Sequence, residues 1–548
     1  MPAIITRSST SAAGTFYKTL KDQAKNDSGT FDSAALSHAA TQLTNQGGAP
    51  KDFEIVLDEA GREAPHVLRA LLDGARLYEE RHGEEPGADL IETAMRMAYS
   101  TTEHARKQYN LDSATSLQSD RLALQTNRAV VAIVGLMAEA IPFAHYLPAD
   151  IGSNEAKLAI MTHNAGTAYG GYAEGGNMDG VLSGRPFVTS SRVHTLVDTA
   201  GTWGGKLTKL QTDADTCDQA ADAVKLMRGR TLVYVSGRVI GQEASNTGTG
   251  ASSLAGSVDI GGTQHVLSGT VNPDTGVVSA TFTPALPAGY APVVEAFIDY
   301  ERGETAPQLI SHVETFVLHA KPWRVTTSLS IDARTQMANE LGLDPYGESV
   351  LAIQNQFANE RHYEVLAKAK RMAVGNVGAF DFDWSNQGQA KKRADIWQDF
   401  ASVLGALSQQ MAVDTLNHGI THLYVGRYVA AQLASMPSTV FQPSGLSGRP
   451  GIYRLGRLFG QYEVYYTPHL VTESADGSGG QILCVGRATD VTRNPFVLGD
   501  AVAPTVIPLA VNADLRSGAG FYARNFTAVN PHGPSAKGAA LINVTNLI

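Results

Sequence analysis

Asp381 and Asp383, in the tetrapeptide DFDW, are the closest thing in this chain to paired carboxylates for acid–base work or for a divalent cation. Acids on alternating residues after a helix are more often a solvated turn, so no site is assigned to them. GTWGGKL at 201–207 has the glycines and lysine of a phosphate-binding loop, but it is one residue short. Leu207 also stands where a hydroxyl would hold magnesium. GTGASSLAG at 248–256 contains GxG without the third glycine of a dinucleotide fingerprint. Ser183 and Ser447 precede glycine, yet neither lies in a GxSxG elbow. The 15 histidines form no HExxH spacing, and His163, His422 and His469 read as loop or core residues. Cys217 and Cys484 make no CxxC pair, so neither a disulfide framework nor a zinc site is expected. No catalytic, cofactor-binding or metal-binding residue is assigned. No cofactor and no enzymatic activity are expected.

The elements that would position such groups are more distinctive than the groups themselves. DPYGESVLAIQNQFANERHYEVLAKAKRM, Asp344 to Met372, predicts one helix of about 40 Å at ~1.5 Å per residue. Asp344 suits its N-cap and Pro345 its first turn. Tyr346, Val350, Ile353 and Phe357 recur on one face, and the same face then carries Arg361, Glu364 and Lys368. The first half is therefore expected on the subunit's own sheet, with the charged line near a neighbour or a lumen. A shorter helix precedes it at 332–341. Another follows through Ile396, Phe400, Val403, Leu404, Leu407 and Met411.

Beyond it, ITHLYVG, RYVAAQLASM and QYEVYYTP alternate strand, helix, strand, and the chain from about Ala501 reads as short strands. The segment from Phe16 to about Ala114 predicts several modest helices, with breaks at 44–52 and 82–89. AVVAIVGLMAEAIPF at 129–143 predicts a buried helix. It is shorter than the ~20 residues needed to cross a bilayer. HNAGTAYGGYAEGGNMDGVLSGRPF predicts an extended, mobile loop, with a flexible ligand lid as the alternative. Between Thr231 and Glu301 alternating runs flank the Asn272–Gly276 turn, as in a compact insertion of β-hairpins. LSGRP occurs at both 182–186 and 446–450, without a longer repeat around it.

With 548 residues, 43% of them hydrophobic, the chain can bury several cores. The 43 Lys and Arg against 53 Asp and Glu leave a net charge of -10, which gives no drive toward a phosphate backbone. No charged start with an apolar run marks a secretion signal, and a reducing cytoplasm suits two unpaired cysteines.

The pair of helices in LSIDARTQMANELGLDPYGESVLAIQNQFANERHYEVL, with Gly342-Leu343-Asp344 at the break, resembles the corresponding segment of major capsid proteins of tailed bacteriophages, especially the T-even type. GRLFGQYEVYYTP is similar to that family's axial-domain pattern through Gly456, Leu458, Gly460, Val464, Tyr465 and Pro468, with Glu463 where the family usually has lysine. Gly520, Phe521, Arg524 and Phe526 resemble its terminal segment. CVGRAT departs from its usual GYKG, and Thr231–Glu301 has no counterpart in it.

The resemblance implies an α+β chain with the HK97-like capsid fold. Its parts would be an N-terminal helical arm (1–120), a buried helix entering the peripheral domain (121–160), an E-loop (161–228) and a β-rich insertion (229–301). The peripheral domain with its spine helix (302–390), an axial domain (391–500) and C-terminal strands returning to the peripheral domain (501–548) would follow. It implies self-assembly as hexamers and pentamers into an icosahedral virion shell that encloses double-stranded DNA without sequence-specific contacts. Assembly would take place in the bacterial cytoplasm, without membrane, and with portal, scaffolding or decoration proteins as further partners. Tyr169, Tyr172, Arg185, Arg361, Glu364 and Lys368 are the candidate interface residues. An encapsulin-like compartment shell, or a cytoplasmic enzyme with a glycine-rich lid, are the alternatives. The family's (Ile/Leu)-x-Glu cleavage pattern fits Leu57-Asp58-Glu59 before Ala60, and Leu90-Ile91-Glu92; the arm is nevertheless expected to stay attached.

Overall fold

The structure, a computed structural model, describes residues 7–25, 34–35, 38, 50, 53, 57, 64–96, 98, 133–137, 140–147, 154–211, 224–244, 248–302, 305–340, 345–388, 390–446, 448–509, 511 and 514–548. The Asp344 cap with its Gly342-Leu343 break, the break at 44–49, Cys217, Ser447, and Asp58 to Ala60 lie outside the described residues. So do 129–132 of the expected buried helix, of which 133–137 is helical. The chain divides into two compact units, Met1–Ile160 with Thr315–Ile548, and Met161–Glu314.

Among the described residues the helices of the first unit include α1 (Arg7–Gln23), α2 (Ala64–His82), α3 (Ile331–Glu340), α4 (Pro345–Met372), α5 (Arg393–Thr415) and α6 (Arg427–Ala434), and 88–96 is helical as well. Gly83, at φ +73°, stops α2 in a left-handed turn that other residues adopt at a cost, and its N–H donates to the Glu79 carbonyl at 2.7 Å. Lys370 and Arg371 fall in the last turn of α4, where cations complement the helix dipole.

Two sheets organise this unit. Phe496–Leu509 and Arg516–Val529 form a long antiparallel hairpin, extended by Lys321–Thr326 on one side and by His145–Tyr146, parallel, on the other. The 14-residue hairpin strands replace the short strands expected from Ala501 onward. Pro504 falls within the register shift between Val502 and Thr505, where the ladder does not need its missing N–H.

The second sheet has seven strands in the order Val377–Asp381, Ala539–Thr545, Gly480–Gly486, Ile420–Val425, Tyr462–Tyr466, Tyr453–Leu458, Phe441–Pro443. Its last strand in sequence, Ala539–Thr545, sits inside this sheet instead of returning to the hairpin, because parallel pairing with Val377–Asp381 and antiparallel pairing with Gly480–Gly486 hold it there.

Both faces of the seven-stranded sheet are covered, and the sequence alternates accordingly. Leu423, Val425, Ile482 and Cys484 point to one core, with Trp397, Phe400, Leu404 and Met411 of α5. Tyr424, Tyr465, Leu483 and Val485 point to the other, shared with α1, α2, residues 90–98 and 133–146, and Val365, Leu366 and Ala369 of α4. It is thus the second half of α4 that is buried. Among the described side chains of the first half only Phe357 is, against Phe521 and Trp323 with ring centroids 5.1 and 5.3 Å away, while Leu351 is 54% exposed. The first half meets the subunit's own hairpin sheet as expected, through Ile353 and Phe357, whereas the second half, expected near a neighbour or a lumen, is the more deeply buried, because Val365 and Ala369 on its apolar edge join the core that the N-terminal helices share.

Met161–Glu314 is a β domain with one nine-stranded antiparallel sheet. Its order is Ser191–Thr195, Val293–Phe297, Leu232–Val235, Arg238–Glu243, Ser252–Ile260, Thr263–Asn272, Val277–Thr283, Thr202–Lys206, Val197–Thr199. Ser236-Gly237 and Gly261-Gly262, all at positive φ, make two-residue hairpin turns whose twist matches the strands. The Asn272–Gly276 turn forms as expected. Strands from both sides of residue 229 share this sheet, so the expected division at 228/229 corresponds to no break in it.

Candidate assembly surface

The catalytic near-motifs resolve into ordinary structure. Residues 202–206 are a strand, and so are 252–260. The Asp381 carboxylate accepts hydrogen bonds from the Asp383 N–H and the Asn546 side chain, both at 2.9 Å, and Asp383 accepts one from Asn386 at 2.7 Å. Among the described residues no group of three or more His, Cys, Asp or Glu side chains is placed to hold a metal ion, and no helix is long and apolar enough to cross a membrane.

The glycine-rich segment is folded, which corrects the expectation of an extended mobile loop. Tyr169 and Tyr172 are 2% and 5% exposed in the β-domain core. The Tyr172 hydroxyl donates to the Leu182 carbonyl at 2.6 Å, and the two hydroxyls of Tyr169 and Tyr300 lie 2.7 Å apart. Buried Arg192 donates to the carbonyls of Lys209 and Thr189, with its guanidinium 4.4 Å from the Tyr169 ring. Gly170 is obligatory there: at φ +54° a side chain would collide with the Pro186 carbonyl. The two tyrosines are therefore packing residues inside the subunit, while Arg185 is exposed.

The charged line on α4 is likewise engaged within the chain. Arg361 and Asp500 form an ion pair at 3.0 Å with both side chains 1% exposed, so Arg361 faces the hairpin sheet and not an open edge. Burial, the largest influence on Asp500, raises its pKa, and Arg361 opposes this only in part. Glu364 accepts from Lys321 and Lys368, each at 2.6 Å, and from the Thr527 hydroxyl at 2.7 Å; Lys368 also reaches the Thr527 carbonyl. Burial alone would raise the Glu364 pKa, but these three partners outweigh it and hold it at about 2. Glu463, unusual by the resemblance, is buried and paired with Arg454 and Arg457 on the neighbouring strand, which explains an acid there.

A cluster of rings joins α2, α4 and the seven-stranded sheet. His362 lies 2.9 Å from the Tyr424 hydroxyl, His82 3.1 Å from the Tyr465 hydroxyl, and His422 2.7 Å from the Thr421 hydroxyl. Phe143 packs edge-on against Tyr424 and Phe496. Burial first, then Arg81 for His362 and Arg487 for His422, pushes both imidazoles down to about 3, and His82 is lowered as well. Nearby, Asp89 accepts from Tyr146 N–H and pairs with His145 at 2.9 Å. Leu90-Ile91-Glu92 is buried in the same region, so that cleavage pattern is not presented to a protease.

The surface that sequence reasoning missed is a ribbon. Leu309–His319 pairs with Glu155–Ala165 in a two-stranded sheet, and among the described residues its other edge is unpaired. Leu309, Ile310 and Val313 are 54%, 53% and 49% exposed. The signal was available in LISHVETFVLH, where apolar residues fall on both faces of a strand although one face alone can be covered. A second open surface, a groove of about 650 Å³, lies between α6 and the 443–455 segment, with Arg427 and Arg449 among its lining residues.

The described residues thus leave an apolar edge strand and a groove open to solvent, surfaces of the kind on which another chain can pack. Residues 161–475 match the family model described as major capsid protein Gp23, and the chain belongs to that family. Its function is to form capsids. Comparison with curated proteins gave no match. Among solved structures, the capsid of jumbo bacteriophage PhiKZ is similar at 10% identity and TM-score 0.36, covering 74% of this chain and 91% of that one. Mycobacterium phage Che8 is similar at 14% identity and TM-score 0.27, covering 45% and 79%. The SrpI encapsulin of Synechococcus elongatus PCC 7942 stands at 11%, 0.27, 44% and 79%. The family assignment rests on the sequence match alone.

Proposed function

We propose that the chain builds the icosahedral, HK97-type head of a tailed phage from hexamers and pentamers, enclosing double-stranded DNA. The observation that carries this reading, beyond family membership, is the unpaired edge strand Leu309–His319 with Leu309, Ile310 and Val313 in solvent. Such an edge invites another chain to pair with it, and a protein that stays a monomer blocks it with charge or proline. In this reading the ribbon is the stem of the E-loop and lies on a neighbouring subunit, and Met161–Glu314 is the domain it carries. The hairpin sheet with α4 is the peripheral domain, and the seven-stranded sheet with α5 and α6 is the axial domain.

Each contact is weak enough to reverse while a shell is incomplete, and closure makes the sum irreversible. Arg185, exposed beside the tyrosines, is the candidate that remains available to a neighbour. The net charge of -10 suits a wall that does not grip DNA, so the genome packs without being bound. Assembly occurs in the bacterial cytoplasm, and portal, scaffolding or decoration proteins are the further partners.

The test is the double substitution Leu309→Lys, Ile310→Lys in full-length protein. It is expected to leave the thermal melting of the subunit unchanged and to abolish closed particles seen by negative-stain microscopy. Normal particle yield would contradict the role given to the ribbon.

A further inference from the structure

The outward face of the β domain lacks charge over an unusual extent. Cross-strand register aligns Ala255, Ser268, Thr281, Thr202 and Thr199 in one row across five strands. Ser253, Thr270 and Ser279 form the row beside it, and Ser257, Val266 and Thr283 the row on the other flank. Leu254, Leu267, Val278 and Ala280, which alternate with these along the strands, are buried, so the rows face solvent. None of them contains Asp, Glu, Lys or Arg; the nearest charges, Asp259 and Lys206, stand at the rim. Soluble surfaces are roughly a quarter to a third charged, so an unbroken uncharged face calls for an explanation.

Three properties fit one occupant. On a chain with a net charge of -10, an uncharged face meets a second copy without like charges opposing each other across the contact. Serine and threonine hydroxyls both donate and accept, so the face is complementary to itself. Val266 at 49% and Val197 at 44% exposure add apolar area to bury. Eleven positions, each ~4.8 Å across and ~6.8 Å along the strand, cover roughly 360 Å² per copy, or roughly 700 Å² for a pair. A stable isolated dimer needs about 1,600 Å², so this contact belongs to the weak class and holds only where other contacts already bring two copies together.

We propose that this face packs on the same face of a second copy, an isologous contact made in the assembled shell and absent from the free subunit. The proposal rests on the shell-forming reading.

Its test uses full-length Ser268→Cys in a Cys217→Ser background, where the remaining Cys484 is buried. Maleimide labelling of the introduced thiol is expected to slow about tenfold or more on going from unassembled subunits to particles, since thiol reactivity follows access. A short bis-maleimide should give covalent dimers in particles only. Thr281→Lys should lower the temperature at which particles fall apart, with no change in subunit melting. Particles that form normally while the thiol labels at the free-subunit rate, without dimers, would overturn the proposal and leave the shell reading standing. A parent chain that forms no particles defeats both.

Discussion

Arg361 and Asp500 are each 1% exposed, and removing one partner leaves the other as an uncompensated buried charge. Asp500→Ala is expected to cost about 3–5 kcal/mol in denaturant unfolding of the subunit, and Arg361→Met with Asp500→Leu to recover most of it. A loss no larger than that of an exposed pair would show that the two ions are not desolvated. The histidines set a pH limit. His362 and His422 are near 3 in the folded subunit against 6.5 for the free side chain, so the unfolded state binds more protons as pH falls. Their contribution is complete above about pH 6.5 and shrinks toward pH 3, by roughly 2–3 kcal/mol per histidine at pH 4.5. Acid unfolding of the subunit should therefore begin below about pH 6, and His422→Phe should move its midpoint to lower pH; an unchanged midpoint would exclude a neutral buried imidazole. None of these partnerships was visible in the sequence. Arg361 and Asp500 lie 139 positions apart, His362 and Tyr424 62 apart, and helical spacing shows only which residues share a face.

Helix α4 was legible in extent and misleading in environment. Pro345 to Met372 is helical as the pattern requires, and α5, the short strands and α6 fall where their periodicity put them. The depth of burial of α4 could not be read, because Val365, Leu366 and Ala369 belong to a core whose other members, from α1, α2, residues 133–137 and 140–146 and the seven-stranded sheet, lie far off in sequence. Leu366→Ala should therefore cost about 2–5 kcal/mol of subunit stability, as for a fully buried leucine, and Leu351→Ala less than about 0.5 kcal/mol. Equal costs, measured by urea unfolding, would contradict the two environments. The glycine-rich segment failed for a related reason. Glycine and tyrosine at 166–187 suggested freedom, whereas Gly170 and the Arg192 hydrogen bonds fix a compact turn against a core supplied from elsewhere in the domain. The β-hairpins, whose signals are local, were legible, whereas the strand order around them depends on pairings between distant segments, for which the sequence offered no signal.

At the scale of the whole molecule, the chain leaves an apolar edge strand and an uncharged sheet face open. A monomer gains nothing from either, while in the proposed shell a neighbouring copy covers both. The order of motifs along the second half pointed to the capsid family before any geometry was known, because spacing between elements survives where single residues drift. The open surfaces were not legible, since exposure is a property of the fold. Purified full-length protein examined by cryo-electron microscopy and analytical ultracentrifugation tests the central claim most directly. Closed icosahedral particles whose hexamers and pentamers are built from this chain are the predicted result. A small cage filled with protein cargo would replace the phage head by a compartment shell, and a stable monomer at assembly concentrations and ionic strengths would contradict the account.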